Sequence, residues 1–291
     1  MDLVSVIIPF RDKPELLNEC LASMFRVLEN SLDQVEIILV NNRSKQSSID
    51  EISLPLGMTV KQIDVDLDFN FQRLINIGVA HSTGSVLLLL NNDIVFTPKS
   101  RGFLTTMREQ ALRPDIGAVG CLLLYPDQTI QHAGVIVGMN HFADHLYRGW
   151  SFEEASTYPF HSPTDDRYVS ALTAAFLMVE RSKFVEVEGM DERFIVCGGD
   201  VDLCIRLAER HYKNIYLGSI EAIHLESKSR DTQKIPASDF GESHRSYSNF
   251  LKKFGGRDPY FPEPLSLLHF PPSHQLNSST TVSQAKIIMR L

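Results

Sequence analysis

The stretch SVLLLLNND, residues 85–93, decides the fold class of this chain of 291 residues. Its aliphatic run VLLLL predicts a strand that is buried on both faces, and it is far shorter than the ~20 residues that a membrane-spanning helix needs. The strand ends directly in Asn91, Asn92 and Asp93. Ligands of parallel α/β sheets bind beyond the carboxyl ends of the strands, so this polar end is a candidate site.

Strands and helices alternate on both sides of this stretch. Before it, strand patterns span residues 4–10, 35–40 and 58–65, and helical patterns begin at Pro14 and span residues 71–80. After it, helices are predicted over residues 100–112, 200–210 and 238–254, and short strands near residues 116–123, 135–137, 174–179 and 222–224. This alternation predicts an α/β fold with a parallel sheet and right-handed crossovers.

Charge and cysteine content narrow the class of protein. The net charge of -8, without a basic stripe, argues against a nucleic-acid-binding protein. The N-terminus MDLVSVIIPF lacks the basic segment of a signal peptide. Cys20, Cys121, Cys197 and Cys204 match no zinc-binding spacing, so we expect reduced core thiols. A cytoplasmic location is predicted, with the C-terminal QAKIIMRL as the one hint of peripheral association with the inner face of the membrane.

Two acidic motifs could carry chemistry. Asp93 is well placed to hold Mg²⁺ or Mn²⁺, which prefer oxygen ligands, but its motif alone favours an Asx turn that closes the strand. In GGDVDLCIRLAER, Asp200 suits a helix N-cap and Asp202 the first turn of that helix. The alternative is that one of these two carboxylates faces a ligand as a general base.

A third cluster, AIHLESKSR, contains His224 and Arg230. His224 ends a short apolar strand, where a histidine is either a satisfied core residue or a metal ligand. Arg230 lies in a mixed polar segment and could contact a phosphate group. By itself this cluster does not indicate a functional site. It becomes informative only together with the two acidic motifs.

Read in order, these motifs resemble the inverting family 2 glycosyltransferases with the GT-A fold, in the bacterial branch that builds O-antigen and other surface polysaccharides. The blocks that carry the resemblance are VSVIIPFRDK, VEIILVNNRS, FNFQRLINIGVAHSTGSVLLLLNNDIV, YPDQTIQHAGVIVG, GMDERFIVCGGDVDLCIRLAERHY and IHLESKSR. The resemblance implies a Rossmann-like three-layer α/β sandwich with a mostly parallel central sheet. It also implies a nucleotide-sugar-binding half at residues 1–97, an acceptor and catalytic half at 98–260, and an extension at 261–291 that is flexible from about residue 273.

The resemblance also implies roles for individual residues. Asp93 and His224 would hold a divalent metal, Mn or Mg, and Asp200 would be the general base. Asn41 stands where the family usually carries the aspartate that reads the nucleobase. The full set implied for nucleotide binding is Pro9, Arg11, Asn41, Arg73, Asn76, Asn91, Asn92 and Arg230.

The implied reaction is transfer of a hexosyl or rhamnosyl group from a UDP- or dTDP-type sugar to a glycan or lipid-linked acceptor. An irregular, aromatic stretch at residues 138–168 offers an acceptor platform, and the candidate acceptor or sugar residues are His132, His145, Trp150 and Asp202. Two alternatives stay open. One is a sugar-phosphate nucleotidyltransferase, although its usual Gly-rich phosphate loop is absent. The other is a non-catalytic carbohydrate-binding domain, which the residues at Asn41 and Gly199 allow.

Overall fold

The computed structural model describes residues 2–28, 31–158, 160–225 and 236–261. The strands are β1 (Val4–Phe10), β2 (Val35–Asn42), β3 (Thr59–Val65), β4 (Val86–Leu90), β5 (Ile94–Phe96), β6 (Ile116–Leu124), β7 (Ile130–His132), β8 (Val135–Val137), β9 (Ala143–His145), β10 (Arg167–Val169), β11 (Phe176–Glu180) and β12 (Lys213–His224). The helices are α1 (Pro14–Leu28), α2 (Gln46–Asp50), α3 (Phe71–Ala80), α4 (Phe103–Ala111), α5 (Phe152–Thr157), α6 (Arg181–Glu186), α7 (Gly199–Glu209) and α8 (Ala237–Lys253). The predictions for Arg230 and for the tail from about residue 273 lie outside the described residues.

One ten-stranded sheet runs through the molecule in the order β10-β12-β6-β11-β4-β1-β2-β3, with β5 paired to β12 and β7 to β6. Strands β3, β2, β1 and β4 are parallel to one another. Strand β11 is antiparallel to both β4 and β6, and β6 is parallel to β12. The carboxyl ends of β1, β2, β4 and β12 therefore meet at the same edge. The predicted mostly parallel α/β sheet is confirmed.

Helices cover both faces of the sheet and give the three layers. In β1, Ile7 points into the apolar cluster that contains Leu74 and Ile75 of α3, whereas Val6 points into the cluster that contains Leu21 of α1. A strand packed on both faces needs apolar residues at consecutive positions, which explains the unbroken apolar runs in the sequence. No helix of the described ranges is long and apolar enough to cross a bilayer.

Several elements differ from the sequence prediction. The irregular stretch 138–168 contains β9 and α5, and β10 begins within it. Strand β12 has twelve residues, although only residues 222–224 were predicted, because a register irregularity between Leu217 and Glu221 interrupts its alternation. Strand β5 is only three residues long and depends on pairing with β12. The predicted division near residue 97 falls between β5 and α4 and stays a prediction.

Candidate active site

A cleft of about 460 Å³ opens at the edge where the carboxyl ends of β4 and β12 meet. A smaller cavity of about 90 Å³ lies beside it, and Phe71 and Asn91 line both. Polar and aromatic side chains of the large cleft include Gln72, Asn91, Gln131, Asp144, His145, Arg148, Asp200, His224, Phe240 and Tyr247. The cleft thus brings together residues from both predicted halves of the chain.

Asp93 and His224 form a buried pair at the base of this cleft. Antiparallel pairing of β5 with the end of β12 sets Ile94 opposite His224, which carries the neighbouring Asp93 to the histidine. His224 Nε2 lies 3.1 Å from Asp93 Oδ1 and 3.2 Å from Asn91 Nδ2. The sequence predicted both residues as metal ligands, and the structure brings their side chains into contact.

Gln131 sets the orientation of the histidine ring. Its Oε1 lies 2.7 Å from Nδ1 of His224, and both side chains are buried. An amide oxygen only accepts hydrogen bonds, so Nδ1 carries a hydrogen, and in the neutral ring Nε2 then keeps its lone pair on the side of Asp93. Gln131 was not predicted from the sequence, although it lies in the QTIQHAG segment directly before His132.

The donor atoms of this pair fit a divalent cation. Two ligands about 2.1 Å from one ion and at right angles lie about 3 Å apart, which matches the separation of Nε2 and Oδ1. Within the described ranges no group of three or more His, Cys, Asp or Glu side chains could hold a metal. A cation at Asp93 and His224 would therefore take further oxygen ligands from water or from the phosphates of a bound nucleotide, as Mg²⁺ commonly does.

Asp200 faces the same cleft from the start of α7. The helix begins at Gly199, and its N-cap is Gly198 in a left-handed conformation (φ 86°), so Asp200 is a first-turn residue and not the N-cap. Its Oδ2 accepts a hydrogen bond from the Ala174 peptide N–H (3.1 Å), and its Oδ1 from the Val201 N–H (2.9 Å). These two bonds fix the carboxylate in place without pairing it to a cation.

Asp202, in contrast, serves the packing of α7. It is 5% exposed, and its carboxylate accepts hydrogen bonds from Arg206 Nε (2.7 Å) and from Ser246 Oγ of α8 (2.7 Å). Both carboxylate oxygens are thus used inside the protein. The predicted acceptor role of Asp202 has no support in this geometry, because the side chain joins α7 to α8 and is absent from the lining of the cleft.

The two candidate acceptor histidines are neighbours, but only His145 lines the cleft. Its Nδ1 lies 3.0 Å from Nδ1 of the buried His132. Burial, with His145 and Arg167 close by, holds the pKa of His132 well below its ordinary value. His132 is therefore neutral at physiological pH and contacts His145 from the buried side of the cleft wall.

The aromatic residues divide into a core cluster and a cleft wall. Trp150 packs against Tyr147 and Tyr158 with ring centroids 5.7 Å away in each case, and it is 8% exposed. The packing explanation fits Trp150 better than the predicted acceptor platform. At the cleft, the exposed Phe240 of α8 lies edge-on to Phe142 at 5.5 Å.

Tyr247 completes this cleft wall, 5.4 Å from Phe142. Phe240 and Tyr247 were not among the predicted site residues. Their spacing of seven residues sets them on one face of α8, and this helical periodicity is the signal that could have identified them.

Four of the predicted nucleotide-binding residues converge on the smaller cavity. Pro9, Arg11, Asn91 and Asn92 line it, together with Asn42, Phe69, Phe71 and Leu74. Asn42, the last residue of β2, was not among the predicted nucleotide-binding residues. The cavity therefore combines apolar walls with Arg11 after β1 and amide groups at the ends of β2 and β4.

The remaining predicted nucleotide residues have other partners. Asn41 is buried, donates to Asp64 Oδ1 (2.8 Å) and accepts from the Ser44 N–H (3.1 Å). Asn76 donates to the carbonyl of Met190 and accepts from its N–H, both at 2.9 Å. Arg73 is exposed, 3.7 Å from Glu192. None of the three lines either of the two cavities.

The four cysteines are free thiols, as expected. Cys20, Cys121 and Cys204 are buried, and Cys197 is half-buried in the loop before α7. Burial raises the pKa of each of the three buried thiols. These three therefore stay protonated and act as small apolar core residues.

A solved structure shares this fold, and curated relatives share part of this sequence. A mannosyltransferase from Pyrobaculum calidifontis in complex with GDP-Man and Mn²⁺ has the same fold, with a TM-score of 0.56 and 13% identity over 87% of this chain and 75% of that one. This similarity shows that the fold is GT-A. The O-antigen biosynthesis protein RfbC of Myxococcus xanthus is 35% identical over 266 residues, which cover 91% of this chain and 20% of that protein.

An N-acetylglucosaminyl-diphospho-decaprenol L-rhamnosyltransferase of Mycobacterium tuberculosis is 30% identical over 173 residues, or 57% of this chain and 54% of that protein. The chain thus spans between a fifth and about half of the length of these two relatives. The sequence model described as "Glycosyl transferase family 2" matches residues 5–156, more than half of the chain. The chain therefore belongs to glycosyl transferase family 2.

Proposed function

We propose that this chain transfers a glycosyl group from a nucleoside-diphosphate sugar to a hydroxyl group of an acceptor, with inversion at the anomeric carbon. The observation that carries the proposal is the shared cleft. Asp200 and His224 both line it, and His224 contacts Asp93 at its base. One carboxylate and one candidate cation site are therefore available to the same bound substrate.

The two groups serve opposite ends of the reaction. A divalent cation held by Asp93 and His224 would stabilise the negative charge that develops on the leaving diphosphate. Asp200 accepts the proton of the acceptor hydroxyl as that oxygen attacks the anomeric carbon. The peptide N–H groups of Ala174 and Val201 hold its carboxylate ready for this step. A single displacement inverts the anomeric carbon without a covalent enzyme intermediate.

The smaller cavity is our candidate for the nucleotide. The aromatic rings of Phe69 and Phe71 can pack against a base, and Asn91 and Asn92 can hydrogen-bond a ribose. Arg11 is an exposed cation at the same cavity and suits a phosphate group. We propose a UDP- or dTDP-type donor that carries a hexosyl or rhamnosyl group.

The acceptor side of the cleft carries Phe240, Phe142, His145 and Arg148. We propose that the exposed ring of Phe240 contacts the apolar face of an acceptor sugar, and that His145 and Arg148 bind its hydroxyl groups. The names of the two relatives support a glycan or lipid-linked acceptor in surface polysaccharide synthesis. The proposal keeps the cytoplasmic location, at or near the inner face of the membrane, that the sequence predicts.

Substitution Asp200→Asn tests the base. The amide keeps the shape of the side chain but cannot accept a proton, so we expect transfer to fall by roughly 10²- to 10⁴-fold while nucleotide binding is kept. Asp115→Asn is the matched control, because Asp115 pairs with Arg113 before β6, away from the carboxyl-end cleft. Full transfer by Asp200→Asn would contradict the assignment of this base.

Product analysis separates the proposal from its alternatives. Release of a free nucleoside diphosphate supports transfer, whereas release of pyrophosphate supports a sugar-phosphate nucleotidyltransferase. Binding of a nucleotide sugar without either product supports a non-catalytic carbohydrate-binding domain. A thermal-shift screen of nucleoside diphosphates with and without Mn²⁺ identifies the base, since a ligand at 100 times its Kd stabilises the folded state by about 2.7 kcal/mol. If Mn²⁺ changes the melting temperature with none of the nucleotides, metal-dependent transfer is contradicted.

A further inference from the structure

The first turn of α8 contains a carboxylate with an unusual set of partners. Asp239 is 0% exposed. Its Oδ1 accepts a hydrogen bond from the peptide N–H of Ile195 (2.9 Å). Its Oδ2 accepts from the N–H groups of Val196 (2.8 Å) and Cys197 (3.0 Å). A fully buried carboxylate is thus bound by three successive backbone N–H groups, and these bonds offset the cost of its burial and hold the loop in one shape.

This loop leads directly to the candidate base. After Cys197 come Gly198, Gly199 and then Asp200, so the loop fixes where α7 begins. The same loop is held from the other side, because the Phe71 N–H at the start of α3 donates to the Ile195 carbonyl (2.9 Å). The loop is therefore clamped between α3 and α8.

The two glycines show how closely the clamp fits. A Cβ atom at Gly198 would lie 2.5 Å from Ser243 Oγ of α8, and one at Gly199 would lie 2.5 Å from the Gln72 side chain of α3. The Tyr247 hydroxyl also donates to the Gly198 carbonyl (3.3 Å). The first residues of α7, which carry Asp200, therefore pack directly against α8 and α3.

We propose that Asp239 is a positioning residue that holds the loop at residues 195–199 and thereby sets the Asp200 carboxylate at the distance that proton transfer requires. This inference rests on the proposed function, because it assigns Asp200 the role of base. Asp239 does not line the cleft, so it acts only through the loop. The Asp93 and His224 pair lies on other elements, so the cation site is independent of this clamp.

Asp239→Asn is the test. The substitution keeps the volume but turns an NH₂ group toward at least one of the three N–H donors, so the loop must move. We expect kcat to fall roughly 10- to 100-fold, because small misplacements of a catalytic group have effects of this size. The donor KM and the affinity for Mn²⁺ with nucleoside diphosphate should change far less than kcat, since Asp93 and His224 lie on other elements and Phe71 contacts this loop through its backbone N–H. Hydrogen–deuterium exchange of residues 195–197 should become faster than in the parent protein.

Glu36→Gln is the matched control. Glu36 is also a carboxylate that accepts backbone N–H groups, from Thr83 (2.5 Å) and Gly84 (3.0 Å), but it lies near the start of β2, at the opposite end of the sheet. The Glu36→Gln variant should have a lower melting temperature and an unchanged kcat. Unchanged kcat in a folded Asp239→Asn variant would overturn the inference. So would an equal loss of kcat, donor affinity and melting temperature, which would indicate a purely structural role.

The exchange measurement on the parent protein tests the clamp even where the variant does not fold. Slow exchange of the Ile195, Val196 and Cys197 amides is expected from their buried bonds, and rapid exchange would overturn the clamp. If the parent protein transfers no sugar, the proposed function fails. The exchange result still tests the three hydrogen bonds that Asp239 accepts from the loop.

Discussion

Gln131 offers a test of whether Asp93 and His224 form a cation site. Substitution Gln131→Met keeps a side chain of similar length but removes the oxygen that accepts the Nδ1–H of His224. The ring then finds its best remaining acceptor in Asp93 Oδ1, 3.1 Å from Nε2. We expect the proton to move to Nε2, which occupies the lone pair that a cation needs.

The size of the effect follows from the burial of the pair. Gln131 is 3% exposed and His224 is 7% exposed, so water replaces the lost acceptor poorly. A cation binds the form with the hydrogen on Nδ1, and in the variant this buried N–H lacks its acceptor, which costs about 1–3 kcal/mol. Loss of an outer partner of a metal-binding histidine lowers metal affinity by about 10- to 100-fold, or about 1.4–2.8 kcal/mol. The two magnitudes agree, so we expect Mn²⁺ to bind the variant 10- to 100-fold more weakly.

The measurement is a titration of free Mn²⁺ by electron paramagnetic resonance, with saturating nucleoside diphosphate. Gln131→Glu is the matched variant, because a carboxylate oxygen also accepts the Nδ1–H and should keep the affinity within a few-fold. ¹⁵N NMR of the histidine ring reports the proton directly: on Nδ1 in the parent protein, and on Nε2 in Gln131→Met. Mn²⁺ affinity in Gln131→Met equal to that of the parent protein would refute the reasoning.

Two further predictions concern the acceptor wall and the stability of the fold. Phe240→Ala should raise the KM for the acceptor about 2- to 10-fold and leave the donor KM unchanged, because one aromatic contact contributes on the order of 0.5–1.5 kcal/mol; a changed donor KM in steady-state assays would contradict this role. Burial raises the pKa of Asp258 to about 6 from 3.8, although its carboxylate accepts the Val137 N–H at 2.7 Å. Its contribution to stability is therefore complete below about pH 4 and lost as the pH rises through about 6, by on the order of 2–3 kcal/mol. Urea unfolding at pH 4 and pH 7 should show this loss in the parent protein, and Asp258→Asn, which does not titrate, should lack it; equal pH dependence of the two proteins would contradict the assignment.

The parts of the fold that the sequence predicted are those fixed by burial over several residues. Strands β1 and β4 are apolar at consecutive positions because both of their faces are covered, and α3 repeats its apolar residues at helical spacing. Strand β5 carries no such signal. Its three residues form a strand only because the end of β12 lies beside them. A contact of this kind, between residues more than a hundred positions apart, is decided by tertiary packing.

The same contact between β5 and β12 explains why the sequence predicted the residues of the candidate cation site but not their proximity. The sequence marked Asp93 and His224 separately; the motif of Asp93 alone favoured a structural turn, and His224 alone did not decide between a core residue and a metal ligand. What favours the cation site is their separation of 3.1 Å, which depends on the pairing of β5 with β12. The aromatic residues show the converse. Trp150 lies in a stretch whose composition suggested a binding platform, but composition does not say which side of a loop faces the core.

At Asn41 the sequence indicates that a charged hydrogen-bond acceptor is missing, but the neighbouring strand supplies a carboxylate beside it. Asn41 replaces the aspartate that the resemblance implies at the end of β2, so the sequence predicts the loss of a charged acceptor there. In the sheet, Asn41 is in register with Asp64 of β3, and its Nδ2 donates to the Asp64 carboxylate at 2.8 Å. Asp64 is exposed, and its carboxylate fixes the amide of Asn41. A carboxylate therefore lies one strand outward from Asn41 at this edge, because parallel strands in register bring residues that are far apart in sequence to the same position on the edge.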